Sequence, residues 1–94
     1  MRSLGVIFLA DIVGYSKMMA QDEAGTLAKL REFAKEVIGP TLKKHQGNMI
    51  KSLGDGWLIE FNSASRAVSC AMEWQSIVKK QGKMHLRVGI HLGD

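Results

Sequence analysis

The sequence predicts an α+β fold in which strands and helices follow one another as β-α-β-β-α-β. Three observations predict it. Gly5 to Ala10 is a short, continuous apolar run, the mark of a strand covered on both faces. Gln21 to His45 and Ala64 to Lys80 repeat apolar residues at helical spacing. Leu86, Val88, Ile90 and Leu92 alternate with Arg87, Gly89 and His91, the period of a half-buried strand. The chain has 94 residues, enough for one domain with one modest core.

The elements follow in order. The first strand ends at Asp11, and Gly14 permits a turn after it. In the first long helix Leu27, Leu30, Phe33, Ala34, Val37 and Ile38 form the apolar face. Asp22 and Glu23 stand in its first turn and Lys43, Lys44 and His45 in its last, as the helix dipole favours. Gly39-Pro40 interrupts it. Proline lacks an N–H and crowds the preceding turn, so a kink or break is expected there, and Gly47 stops the helix. Asn48 to Leu53 and Trp57 to Phe61 are strand-like runs joined by Gly54-Asp55-Gly56, which reads as a hairpin. Asn62 or Ser63 can cap the second helix. That helix has Ala67, Cys70, Ala71, Trp74, Ile77 and Val78 on its apolar face and ends at Gln81-Gly82-Lys83. This order is the ferredoxin-like split βαβ arrangement, a four-stranded antiparallel sheet with both helices on one face. Trp57 and Trp74 are expected in the core.

Composition bounds the function classes. An apolar fraction of 46% and a charged fraction of 23% are those of a soluble globular domain. The net charge of +4 favours anionic partners, although most lysines fall on helical stretches, where a solvated face accounts for them. The single cysteine, Cys70, cannot form an internal disulfide, so a reducing compartment is expected. It sits among apolar residues as a core residue would. No apolar run approaches the roughly 20 residues of a membrane span, and Gly5 to Ala10 is too short for a signal-peptide core. The expected location is cytoplasmic. His45, His85 and His91 lack metal-ligand spacing and are read as structural or surface residues.

The residues that carry chemistry are two aspartates. Asp11 ends the first strand, and Asp55 occupies the hairpin turn. The second strand is expected to run antiparallel to the first, beginning opposite its end. Register decides whether the two carboxylates converge. If they do, like charges need a cation between them, and hard oxygens suit Mg²⁺ or Mn²⁺. Two ions so held would support an in-line displacement at phosphorus. The alternative is that Asp11 caps the following turn and Asp55 is the turn residue that Asp-Gly favours. Ile12-Val13-Gly14-Tyr15-Ser16 leads toward helix, and its amides can face a polyphosphate; a plain strand-to-helix turn reads the same way. Lys51 interrupts the second strand four residues before Asp55. It is either a donor to a base or phosphate, or a stem packed on the sheet with a solvated tip.

At this point the residues resemble a family. Phe8-Leu-Ala-Asp11-Ile-Val-Gly-Tyr-Ser16 is similar to the first metal motif of class III adenylate/guanylate cyclases, and Lys51-Ser-Leu-Gly-Asp55-Gly56 to the second. Asp22-Glu-Ala-Gly-Thr-Leu27 and Arg87-Val-Gly-Ile-His-Leu-Gly93 also fit, in the right order. The resemblance is to bacterial adenylate cyclase domains and covers nearly all of the chain. It implies that ATP binds with two Mg²⁺ or Mn²⁺ ions, that the ribose 3′-hydroxyl attacks the α-phosphorus, and that cyclic AMP and pyrophosphate result. Asp11 and Asp55 would hold both ions, with the Ile12 carbonyl as a further ligand. The turn from Gly14 through Tyr15 to Ser16 would lie along the β- and γ-phosphates. Lys51 matches the position of a lysine that reads adenine. The resemblance also implies a head-to-tail homodimer, in which one protomer supplies the aspartates and the other the lysine.

The departure is length. A family domain is about twice as long, and its transition-state asparagine and arginine have no counterpart within these residues. Residues 1–94 are therefore expected to form the N-terminal part of a catalytic domain, inactive or nearly so alone, since electrostatic stabilisation is usually a large catalytic contribution. Three other readings compete. A diguanylate cyclase would need a Gly-Gly-Asp/Glu-Glu-Phe signature where this hairpin has Leu53-Gly-Asp-Gly-Trp57. A ferredoxin-like RNA-binding module would need aromatics in the third strand, which Gly56-Trp-Leu-Ile-Glu-Phe61 does not match. The last is a nucleotide-binding or dimerising regulatory domain without catalysis. Neither nucleic acid nor a membrane is an expected partner of this segment.

Overall fold

The computed structural model describes residues 5–93. Its elements are β1 (Val6–Ile12), α1 (Tyr15–Gln21), α2 (Glu23–Phe33), a π-helical stretch (Ala34–Ile38), α3 (Gly39–His45), β2 (Asn48–Ser52), β3 (Gly56–Phe61), α4 (Ala64–Gln81) and β4 (Leu86–Leu92). The strands form one antiparallel sheet in the order β2-β3-β1-β4. This is the expected ferredoxin-like arrangement. Its pairing corrects one detail: β3, not β2, lies antiparallel beside β1, and β2 is an edge strand.

Alternation along β1 explains the layering. Val6, Phe8, Ala10 and Ile12 are buried under the helices, while Leu9 is 42% exposed on the open face. Trp57, Ile59 and Phe61 of β3 are buried with them. From α4, Ala67, Cys70, Trp74 and Val78 close the core. Phe8, Phe33, Phe61, Trp57 and Trp74 form one aromatic cluster with ring centroids 5.2–6.3 Å apart. Both tryptophans are thus core residues. Trp74 needs an acceptor for its buried N–H and donates to Thr41 Oγ1 at 2.6 Å, while Thr41 donates to the Val37 carbonyl at 2.6 Å. Burial pushes the Cys70 thiol up to about 11, so it is an unreactive core group at neutral pH.

Local chemistry sets the helix ends. Asp22 accepts a hydrogen bond from Gly25 N–H at 3.0 Å and caps α2, and Ser63 accepts from Arg66 N–H and caps α4. The interruption expected at Gly39-Pro40 takes the form of the π-helical stretch just before it. The missing proline N–H removes an α-type bond to the turn behind, and the wider π turn absorbs the mismatch. Helical dihedrals continue through Ile38 and Gly39, so the chain is not broken there. The short helix α1 was not expected as a separate element. None of its residues is fully buried, and it is held by Tyr15 and Met18 against the core.

Candidate active site on the open face of the sheet

Asp11 is the sixth residue of β1 rather than its end, and its register partners are Gly56 on β3 and Arg87 on β4. Partners in an antiparallel pair share a face, so Asp11 and Arg87 project together from the open face. Arg87 grips the carboxylate with both ends of its fork: Nε donates to Oδ1 and a terminal nitrogen to Oδ2, each at 3.1 Å. This bidentate geometry is the specific form of such a pair. The side chain of Asp11 is 31% exposed and that of Arg87 72%. Sequence reasoning had Arg87 only within the closing motif, because the register that seats it on Asp11 spans 76 positions.

Asp55 neighbours the same strand through its backbone. Ile12 N–H donates to the Asp55 carbonyl at 2.9 Å. The two residues are therefore neighbours across the β1–β3 pair. A strand residue points its N–H and C=O to the same side, so the Ile12 carbonyl also faces the turn that carries Asp55. That turn is tight: Leu53 N–H bonds the Gly56 carbonyl at 2.8 Å, and Gly54 sits at φ +86°. Gly56 permits the approach. A side chain there would collide with the Ala10 carbonyl oxygen and press on Cα and Cβ of Asp11.

The other expected residues are distributed around this point. Val13 N–H bonds the His85 carbonyl at 2.9 Å, and Gly14, at φ +75°, turns the chain into α1. The Gly14–Ser16 turn thus leaves the sheet at the end that carries Asp11 and Asp55. Ser16 is exposed, whereas the Tyr15 ring packs on the core, so Tyr15 offers this turn its backbone only. Lys51 is exposed on β2. β2 is an edge strand, where lysine is ordinary. Its orientation is nonetheless specified. A bulge between Met49 and Lys51 shifts the register so that Lys51 pairs with Leu58, an open-face residue. Without the extra residue, alternation would turn Lys51 under the helices. Lys51 therefore shares a face with Asp11. Two strand spacings and two residues of rise separate them by about 12 Å.

The donor set fits a hard divalent cation. Asp11, Asp55 and the Ile12 carbonyl would offer only oxygen, as Mg²⁺ and Mn²⁺ prefer. Among the described residues no cluster of three or more His, Cys, Asp and Glu side chains forms, so a protein cage of the zinc type is not what the fold builds. The open face carries Ile7, Leu9, Asp11, Leu58 and Glu60, with every aromatic of β1 and β3 turned to the core. An RNA-reading sheet needs stacking rings on that face, which disfavours the RNA-binding alternative. No helix among the described residues is long and apolar enough to cross a membrane.

Comparison with known proteins agrees with this fold. No family model matches the chain. Over 100 residues it is 42% identical to "Putative adenylate cyclase 3" of Rhizobium meliloti (strain 1021), covering 99% of this chain and 17% of that protein. It is 25% identical over 95 residues to a Myxococcus xanthus protein named as the serine/threonine-protein kinase pkn2, covering 94% of this chain and 11% of that one. The crystal structure of an adenylate/guanylate cyclase/hydrolase from Silicibacter pomeroyi superimposes with a TM-score of 0.87 at 32% identity, over all of this chain and 59% of that one. The chain thus spans a minor part of the curated relatives and somewhat over half of the solved one. By sequence and by fold, it belongs with the adenylate/guanylate cyclase catalytic domains and represents a part of one.

Proposed function

We propose that this chain is the metal-binding part of an adenylate cyclase site, which converts ATP to cyclic AMP and pyrophosphate. The observation that carries the proposal is the pinning of Asp55 to the Asp11 strand by the Ile12–Asp55 hydrogen bond and the glycine-only contact at Gly56. Carboxylates that meet at this point need a cation between them. Asp11, Asp55 and the Ile12 carbonyl hold Mg²⁺ or Mn²⁺, two ions in the full site. When bound, the metal neutralises phosphate charge and lowers the pKa of the attacking hydroxyl. The turn from Gly14 to Ser16 presents main-chain amides to the β- and γ-phosphates. Lys51 serves the adenine in a partner's site, as the resemblance that implies a head-to-tail homodimer suggests. Residues 1–94 are a part of the catalytic domain, work in the cytoplasm, and lack transition-state groups. Alone they bind metal and nucleotide without appreciable turnover.

Mn²⁺ titration of the chain by electron paramagnetic resonance, with and without a non-hydrolysable ATP analogue, tests the assignment. D11N and D55N should each abolish binding while the fold persists by circular dichroism. Binding retained in both variants sinks the metal reading. A clear, metal-dependent production of cyclic AMP by the purified chain refutes its inactivity alone. Equal weakening of ATP and GTP analogues by K51E counts against base reading. One observation favours a non-catalytic nucleotide-binding role instead: both oxygens of Asp11 are already engaged by Arg87. Metal binding that never appears, even with nucleotide present, selects that role.

A further inference from the structure

β2 carries one residue more than its partner can pair. Met49 pairs with Ile59 and Lys51 with the adjacent Leu58, so Ile50 is the extra residue of the bulge. A bulge sets two consecutive residues opposite one, and here Ile50 and Lys51 stand together opposite Leu58. Leu58 is half-buried and pairs with Leu9 of β1, and Leu9 pairs with Gly89 of β4. Leu9 is 42% exposed, and a side chain at Gly89 would meet nothing within 4 Å. This row across the open face is apolar, with one ammonium group at its β2 end. The carboxylates lie in the rows to either side, Asp11 two residues along β1 and Glu60 two residues along β3. Ile50 itself is 48% exposed and does not pack on the core. Without it Met49 would still face Ile59 and Lys51 would still face Leu58, in a regular ladder. The residue thus interrupts the pairing and exposes apolar surface without adding to the core. Protection of the edge accounts for a bulge but not for an isoleucine in it, since a charged side chain serves that end.

We propose that Ile50 is a purine-binding residue, its side chain lying on the face of the base that Lys51 meets at its edge. The proposal rests on the reading of Lys51 as the residue that serves the base. A purine calls for both contacts. Its ring faces are apolar and gain from burial against aliphatic carbon, while its ring nitrogens accept hydrogen bonds. Lysine has three donors and no acceptor, which suits those nitrogens. An apolar wall with one placed polar group is the usual composition of a small-molecule site. The bulge supplies both from consecutive residues opposite Leu58, where regular alternation would send one of them to the helix side. A polyphosphate has no apolar face, so Ile50 adds to nucleotide affinity through the base alone.

Calorimetry of the chain with Mn²⁺ separates base from phosphate by comparing a non-hydrolysable ATP analogue with inorganic tripolyphosphate. I50S should weaken the analogue by about five- to tenfold, the loss expected when partial burial of one aliphatic side chain is given up, and change tripolyphosphate by less than about twofold. I50V keeps most of the apolar surface and should stay within about threefold of wild type for the analogue. Deletion of Ile50 should reproduce I50S while circular dichroism and the melting temperature show the fold kept. Should the deletion fail to fold, I50S and I50V, at an exposed side chain, decide alone. K51E tests the underlying reading. A changed ratio of the two affinities in K51E, with an unchanged ratio in I50S, overturns the proposal and leaves that reading standing. An unchanged ratio in both variants, or a wild type that does not bind the analogue, overturns both. Equal weakening of the two ligands by I50S also overturns the proposal, since Ile50 would then hold the strand in place rather than touch the base.

Discussion

Asp11 is governed by two neighbours with opposite effects on a cation. Arg87 neutralises it with a bidentate pair, and a positive charge there opposes a divalent ion at the same carboxylate. Both side chains reach solvent, so the effect is small, a few tenths to about 1 kcal/mol. R87Q should therefore tighten Mn²⁺ binding by up to about fivefold in the absence of nucleotide; an unchanged or weaker affinity in calorimetry contradicts the competition. Gly56 acts through space rather than charge. G56A forces a methyl group against the Ala10 carbonyl oxygen and Asp11. It should cost about 1–3 kcal/mol in urea unfolding and also weaken Mn²⁺ binding, because the strand must part from the turn that carries Asp55. Sequence placement made both aspartates candidates, and the family resemblance gave them their metal role. It could not place Arg87 on Asp11, because nothing local links positions so far apart in the chain.

At the scale of elements, two irregularities carry meaning. The bulge in β2 turns Lys51 to the open face, and the π-helical stretch before Pro40 keeps α2 and α3 in one helical path. α3 is then tied to the rest by polar contacts. Trp74 donates to Thr41, so T41V strands a buried indole N–H and should destabilise the fold by about 1–3 kcal/mol in denaturant melts. On the surface, Glu73 of α4 accepts from His45 at 2.7 Å and Lys44 at 3.1 Å. These hydrogen bonds, that to His45 foremost, hold its carboxyl below the ordinary 4.5. A depressed carboxylate stabilises the fold above its unfolded pKa, and that contribution is lost as pH falls through the folded value. Thermal melts of E73Q should show a deficit against wild type at neutral pH that closes as the pH drops below 4.5. A deficit constant with pH would mean that packing, not charge, holds the pair. The long helical stretches and the Ser63 cap were legible in sequence because periodicity and capping are local, whereas the separate α1 and the Asp22 cap of α2 were not. The π turn and the bulge were not, because each is an adjustment by one residue that only the neighbouring element enforces.

For the molecule as a whole, the proposed head-to-tail dimer has a direct consequence. If Asp11 and Lys51 serve one nucleotide from different subunits, D11N and K51E each damage every site in their own homodimers, but a mixed dimer retains one undamaged site. Mixing the two should recover ATP-analogue binding that neither shows alone; a mixture no better than its parts contradicts sharing. The open face of the sheet leaves a surface for such company. The sequence by itself determined the order of the strands and of the two long helical stretches, and it singled out the two aspartates as candidates, because periodicity, turn chemistry and acidic placement are written in neighbouring residues. Only the tertiary structure decided that β3 rather than β2 flanks β1, that the Asp55 backbone bonds Ile12, that Arg87 occupies the Asp11 carboxylate, and that Lys51 shares the open face with Asp11. Those are matters of strand register, and register is set by packing between segments distant in the chain, where a shift of one residue moves every side chain to the other face.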